Sequence, residues 1–138
     1  MQSKIKLIFL FFVLVFLTQC AGTGTKIKPA ISNNSSGTTN LYFSRQGGFV
    51  ASGVLAKIEV NGSEIARLGI NEHAKHSVSS NFKINVSGAS IGGLGMGKDT
   101  ISGVANGRNY FYIISIKQGL LSTKWIINET TESGFKSQ

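Results

Sequence analysis

One cysteine, one proline, two histidines and six carboxylates are all that the 138 residues hold of the side chains that most often staple, break or catalyse. A single cysteine excludes an intramolecular disulfide and a Cys-based zinc finger. Two histidines within one short segment and six scattered acids leave too little for a Ser-His-Asp triad or a paired-carboxylate glycosidase site. Long helices are missing too. With 17 glycines and no Ala/Glu/Lys/Leu periodicity, the chain excludes a helical bundle or coiled coil and favours a turn-rich β architecture. At 14% charged and 41% hydrophobic, with a formal charge of +8, it is too apolar for a disordered polyelectrolyte and has the length of one domain.

What is present begins with an export signal. Lys4 and Lys6 form a cationic start, and residues 7–17 run LIFLFFVLVFL without a polar side chain. Eleven residues span only ~16 Å as a helix, against roughly 30 Å of bilayer hydrocarbon, so a stable membrane span is not expected. The run ends at Leu17-Thr18-Gln19-Cys20, which resembles the lipobox of bacterial lipoproteins, although Gln19 stands where that pattern usually has Gly, Ala or Ser. The resemblance implies cleavage of residues 1–19 and diacylation of the Cys20 thiol. Two other outcomes stay open: ordinary cleavage after the triplet Cys20-Ala21-Gly22, and an uncleaved anchor. Ala21, in place of Asp, resembles proteins forwarded to an outer membrane, facing the periplasm, in organisms that follow the enterobacterial sorting rule. Removal of residues 1–19 takes Lys4 and Lys6 with it and lowers the formal charge from +8 to about +6.

Residues 20–39 then comprise the lipidated cysteine and a small, polar stretch with one proline, which reads as a flexible tether. Asn-x-Ser/Thr sequons at Asn33, Asn34, Asn61, Asn85 and Asn128 are the number expected in a chain this rich in Asn and Ser, and behind a bacterial signal none reads as glycosylated.

Residues 40–130 alternate with period two between Gly and Asn punctuation. Val54, Ala56, Ile58 and Val60 share one face of a strand, as do Phe82, Ile84 and Val86 of another. Asn61-Gly62 and Asn106-Gly107 are each expected to close a type I′ hairpin, while Gly95 lies in a loop where a side chain is better tolerated. Residues 109–117, NYFYIISIK, are apolar on both faces and predict a central strand. With residues 41–45, 76–79 and 124–127, the set makes an all-β, antiparallel β-sandwich of seven or eight short strands, Ig-like or prealbumin-like. The expected core is Leu41, Phe43, Val54, Ile58, Val60, Phe82, Ile84, Val86, Ile101, Tyr110, Tyr112, Ile114 and Ile116. Residues 131–138 read as a polar tail.

The order of Tyr42-Phe43-Ser44-Arg45, then Ile58, Val60, Asn61-Gly62, Ile65 and Leu68, and last Ala105-Asn106-Gly107-Arg108-Asn109-Tyr110-Phe111-Tyr112 is similar to the small bacterial envelope domain known as domain of unknown function 2846. That family carries a Tyr-x-x-Arg start, a turn-closed hairpin and a late Gly-x-x-Tyr-Tyr strand, often behind a lipobox. Ser80-Asn81 replaces its usual Pro-Gly. The resemblance covers residues 41–129 and implies a lipid-anchored β-sandwich with no known activity.

Three constellations remain. Residues 92–100, GGLGMGKDT, approach the phosphate-binding loop, but Asp99 takes the hydroxyl position and a strand pattern follows where a helix is required. A glycine-rich edge loop is expected, with Leu94 and Met96 as apolar contacts. Glu72, His73 and His76 offer an imidazole pair and a carboxylate, the basis of an alternative reading as a small envelope enzyme or metal-binding protein. In an extended chain residues three apart face opposite ways, and a solvated loop with no metal is expected. The basic excess, with Lys57, Arg67, Lys75, Lys83, Lys98, Arg108, Lys117 and Lys124 spread over the body, fits anionic lipid headgroups or envelope polymers as partners, and a protein partner stays open. Nucleic acid is not expected in that compartment. The reading is thus a non-enzymatic, lipid-anchored binding or structural module without cofactor.

Overall fold

A computed structural model of the chain describes residues 22–34, 37–48, 52–89 and 95–138. Eight strands follow one another: β1 (Thr39–Arg45), β2 (Ala56–Val60), β3 (Ser63–Leu68), β4 (His73–Val78), β5 (Phe82–Gly88), β6 (Asp99–Gly103), β7 (Asn109–Gln118) and β8 (Thr123–Thr130). A short helix, α1 (Glu132–Lys136), ends the chain. The strands form two four-stranded sheets, one in the order β4-β1-β7-β8 and the other β3-β2-β5-β6. The fold is the expected all-β sandwich. β1 lies between β4 and β7 in the first sheet, and β2 and β5 are the interior strands of the second.

Alternation assigns the core. Ala56, Ile58 and Val60 of β2 and Phe82, Ile84 and Val86 of β5 point inward, paired as Ile58 with Val86 and Val60 with Ile84. Leu41, Phe43, Tyr110, Tyr112, Ile114, Trp125 and Ile127 meet them from the other sheet. Of the expected core, only Ile101 and Ile116 are partly buried; the rest are buried. Stacked Phe43 and Tyr112, with centroids 5.6 Å apart, and Phe82 set edge-on to Tyr110 at 5.3 Å fill the middle. Gly103 faces Phe82 so closely that a Cβ there would lie 2.3 Å from the ring.

Several expectations are corrected. The sandwich is not wholly antiparallel, because β1 pairs parallel with β7, Leu41 opposite Tyr110 and Arg45 opposite Ile114. Asn61-Gly62 does close a hairpin, with φ of 51° and 83°, and beyond it the β2-β3 register shifts between Ile58 and Glu59, where β3 holds the extra residue, Ile65. Asn106-Gly107 does not: only Gly107 has positive φ, and the turn carries the chain from one sheet to the other. The Thr39 hydroxyl oxygen accepts the Gly107 N–H at 2.9 Å, which ties that crossing to the start of β1.

Residues 131–138 are not a simple polar tail. Thr131 caps α1 by accepting the Gly134 N–H at 3.1 Å, and Phe135 is fully buried against the outer face of the first sheet. There it meets Tyr42 and Phe111, whose rings stack 5.1 Å apart, with Ile31 and Ile113 packed beside them. Residues 22–34, expected as a tether, lie as a strap. The Thr23 N–H donates to Arg67 O at 2.8 Å, Thr25 and His73 exchange both backbone bonds, and Ser32 N–H reaches the Tyr42 hydroxyl at 3.1 Å. Strap and helix cover the outer face of β1 as the opposite sheet covers its inner face, and every residue of β1 is buried.

Gly62 and Gly95 both have φ above 80°, so the loop position is as restrictive as the turn. Gly53 has neither positive φ nor any atom within 4 Å of an added Cβ. Gly62→Val is expected to lower stability by more than about 1 kcal/mol and Gly53→Val by less than about 0.5 kcal/mol, read from thermal melts.

Candidate functional site

Arg45 marks the end of the sandwich at which β1 stops. It is the last residue of β1, points inward and is 2% exposed. Its guanidinium donates to Val54 O and, at 2.9 Å, to Leu68 O, both in the segments of the opposite sheet, and lies 5.0 Å over the Trp125 ring. Arg45 thereby closes the core where the two sheets part, its charge met by carbonyl dipoles and an aromatic face. Burial lowers its pKa and the nearby Glu72 carboxylate opposes that shift.

The strap enters at this same end. Gly22 sits against Glu72, whose Oε2 accepts the Gly69 N–H at 2.7 Å, and Lys26 Nζ donates to Ile70 O and lies 3.8 Å from Glu72 Oε1. Lys28 Nζ donates to Lys136 O and Gln138 O, both at 2.5 Å, and so ties the strap to the helix. Between strap and sheet runs a cleft of about 510 Å³ lined by Lys26, Lys28, Ser44, Arg45, Asn71 and His73 among others. A smaller cavity of about 160 Å³, beside Gln46, Ile70 and Ser115, adjoins it at Arg45. The lining offers the cations Lys26, Lys28 and Arg45, the His73 imidazole and neutral polar groups, a chemistry for small anions.

Glu72, His73 and His76 do not converge. His73 opens β4 opposite Ser44, on the outer face, with its ring 6.0 Å from Phe135. His76 lies opposite Leu41 with the side-chain parity of the core face, and Glu72 is turned to Gly69. Among the described residues no group of three His, Cys, Asp or Glu is placed to hold a metal ion. The expectation of a solvated loop is corrected as well: residues 73–78 are strand, and His73 is 5% exposed because strap and helix cover it. Its Nδ1 is buried without a partner among the described residues.

Cys20 and residues 92–94 of the glycine-rich run, Leu94 among them, lie outside the described residues. Where that run resumes, Gly97 N–H donates to Thr123 O and Gly97 O accepts the Trp125 N–H, both at 2.9 Å, which adds a bridge along β8. Asp99 opens a strand, as expected, and its carboxylate accepts Ile127 N–H and Thr100 N–H, both at 3.0 Å. Met96 packs against the core and is not an outward contact.

Of the basic residues, Lys57, Arg67 and Arg108 are paired with Glu59, Glu64 and Glu129 at 3.3, 2.7 and 3.2 Å. Lys98, Lys117 and Lys124 are exposed, and all three lie at the Arg45 end. The β7-β8 hairpin that carries two of them turns through Gly119-Leu120-Leu121-Ser122, closed by Gly119 N–H to Ser122 O at 2.7 Å. Leu120 and Leu121 are not among the residues singled out above; their signal in the sequence is two adjacent leucines between Gly and Ser where a strand pair has to turn. Compared with protein-family models, curated proteins and solved structures, the chain matches none.

Burial first, then the Lys28 and Lys26 ammonium groups, lower the His73 pKa from the ordinary 6.5, with Glu72 acting the other way. Burial alone lowers His76. Both imidazoles are thus harder to protonate in the folded chain than in the unfolded one, and their contribution to stability is complete above about pH 6.5 and is lost as the pH falls through the lowered folded values. Melting temperature is expected to fall between about pH 7.5 and about pH 5.5, and His73→Gln combined with His76→Gln to flatten that slope.

Proposed function

We propose that this chain is a lipid-anchored, non-enzymatic module of a bacterial cell envelope, held through Cys20 at the outer membrane and facing the periplasm, whose basic end meets anionic headgroups or envelope polymers. The observation that carries the reading is a coincidence of place. The strap that follows Cys20 is bonded at Thr23 and Thr25 to the β3-β4 edge of the same end of the sandwich at which Lys98, Lys117 and Lys124 cluster on the β6-β8 edge. An anchor at Cys20 would therefore turn that charge toward the membrane, where anionic lipid attracts basic side chains within about a Debye length. The separation of Glu72, His73 and His76 onto different faces supports a binding role over a hydrolytic one.

The reading includes membership of the envelope family that the Tyr42 to Arg45 start and the Asn61-Gly62 hairpin resemble, domain of unknown function 2846. Arg45 fits such a role as a structural residue, since its guanidinium bridges the sheets.

Intact mass of the full chain produced in a bacterial host tests the anchor. A chain beginning at Cys20 with acyl mass is expected, and Cys20→Ala is expected to leave the membrane fraction. A mature chain beginning at Thr23 without acyl mass, or a Cys20→Ala protein that still sediments with membranes, contradicts it.

A further inference from the structure

The β7-β8 hairpin is built unlike the rest of the surface. Arg45 is the last residue of β1 paired with β7; past it Ile116 still packs against the core opposite the buried Trp125, so Lys117 and Gln118, with Thr123 and Lys124 across from them, carry the hairpin roughly 7 Å beyond the packed body at about 3.3 Å per residue. At its tip Leu120 and Leu121 are 104% and 101% exposed, the two most exposed large apolar side chains among the described residues. Single exposed leucines are ordinary on protein surfaces; an adjacent pair at the outermost point of a projecting hairpin has no packing role in the fold.

One step behind the leucines stand lysines. Lys117 and Lys124 are directly opposite one another across the hairpin, a like-charge pair that weakens strand pairing unless an anion lies between or beside them. Gly97 bridges to Lys124, which sets Lys98 next to the same two. None of the three has an ion pair with a described residue. The nearest carboxylate in sequence, Asp99, is already engaged by the N–H groups of Ile127 and Thr100.

We infer that this hairpin tip is a second, non-covalent membrane contact: Leu120 and Leu121 enter the acyl boundary of an anionic bilayer while Lys98, Lys117 and Lys124 lie at its phosphates. Apolar groups outermost with cations one layer behind reproduce the order of a bilayer surface, acyl chain beneath headgroup. Charge complementarity selects anionic lipid. The inference rests on the anchored reading for its orientation, because the strap from Cys20 joins the sandwich at the same end. Two contacts on one face hold the domain against the membrane, where one flexible attachment would let it tumble, and each raises the effective concentration of the other.

The test places a fluorophore at the tip of the full chain. Leu121→Trp and, at the opposite end of the sandwich, Val104→Trp are incorporated into vesicles of phosphatidylcholine and phosphatidylglycerol with brominated acyl chains; Val104 is 56% exposed, and the native Trp125, fully buried, is a common background. Tryptophan at position 121 is expected to be quenched severalfold more than at 104, with the difference reduced in phosphatidylcholine alone and by the combined changes Lys98→Gln, Lys117→Gln and Lys124→Gln. Equal quenching at the two positions overturns the inference, as does concentration-dependent self-association abolished by Leu120→Ser with Leu121→Ser, which would make a second copy of the chain the occupant. Intact mass of the same samples separates the two claims. An acylated chain with an unquenched tip overturns this inference alone, and a quenched tip on an unacylated chain overturns the lipoprotein reading alone.

Discussion

β1 and β7 carry apolar side chains on both faces, and a sheet with two apolar faces has to be covered twice. The inner face is covered by the opposite sheet. The outer face, with Tyr42 and Phe111 stacked on it, is covered by Phe135 of the terminal helix and by Ile31 of the strap. Neither element would have reason to settle there without that apolar surface: the helix is a single short turn with one buried residue, and the strap is too polar to order itself. The two elements also hold each other, through the bonds from Lys28 to Lys136 and Gln138. The need to cover Tyr42 and Phe111 therefore decides where the chain enters the domain, and with it which end follows Cys20.

The two ends of the sandwich differ in chemistry as a result. The end where β1 begins is knitted by neutral amides and hydroxyls, Asn40 with Asn109 at 3.3 Å and with Ser77 at 2.7 Å, and Thr39 with Gly107. At the other end a buried guanidinium closes the core, and Lys98, Lys117 and Lys124, none of them ion-paired with a described residue, lie at the β8 side of it. Arg45 cannot be replaced there by an apolar residue without orphaning the carbonyls of Val54 and Leu68. A domain with Lys98, Lys117 and Lys124 clustered beside an apolar tip at one end has an orientation preference at any anionic surface.

Much of this was legible in the residues. Val54 to Val60 and Phe82 to Val86 alternate because each strand has one buried face, and the doubly apolar residues 109–117 do occupy an interior position of their sheet. Parity in β4 already separated His73 from His76. What the residues did not reveal is what depends on distant partners. The parallel pairing of β1 with β7 joins segments far apart in sequence, and no local pattern encodes it. Asn106-Gly107 has hairpin composition but serves a crossing between sheets, since a tight turn constrains only its own dihedral angles. Phe135 stands alone among polar residues and looks like tail until Tyr42 and Phe111 are seen beneath it. Leu120 and Leu121 carry no group that ionises, coordinates or attacks, and only their exposure at a hairpin tip sets them apart from core leucines.

The claim on which the account turns is that residues 22–34 are held against the sandwich. Hydrogen exchange of the full chain addresses this directly at the N–H groups of Thr23, Thr25 and Ser32, which donate to Arg67 O, His73 O and the Tyr42 hydroxyl. Protection comparable to that of the β4 edge, lost together with it as denaturant is raised, is the predicted result. Exchange of these three at free-peptide rates while β1 remains protected would contradict it, and would return the strap to a tether that gives the domain no fixed orientation.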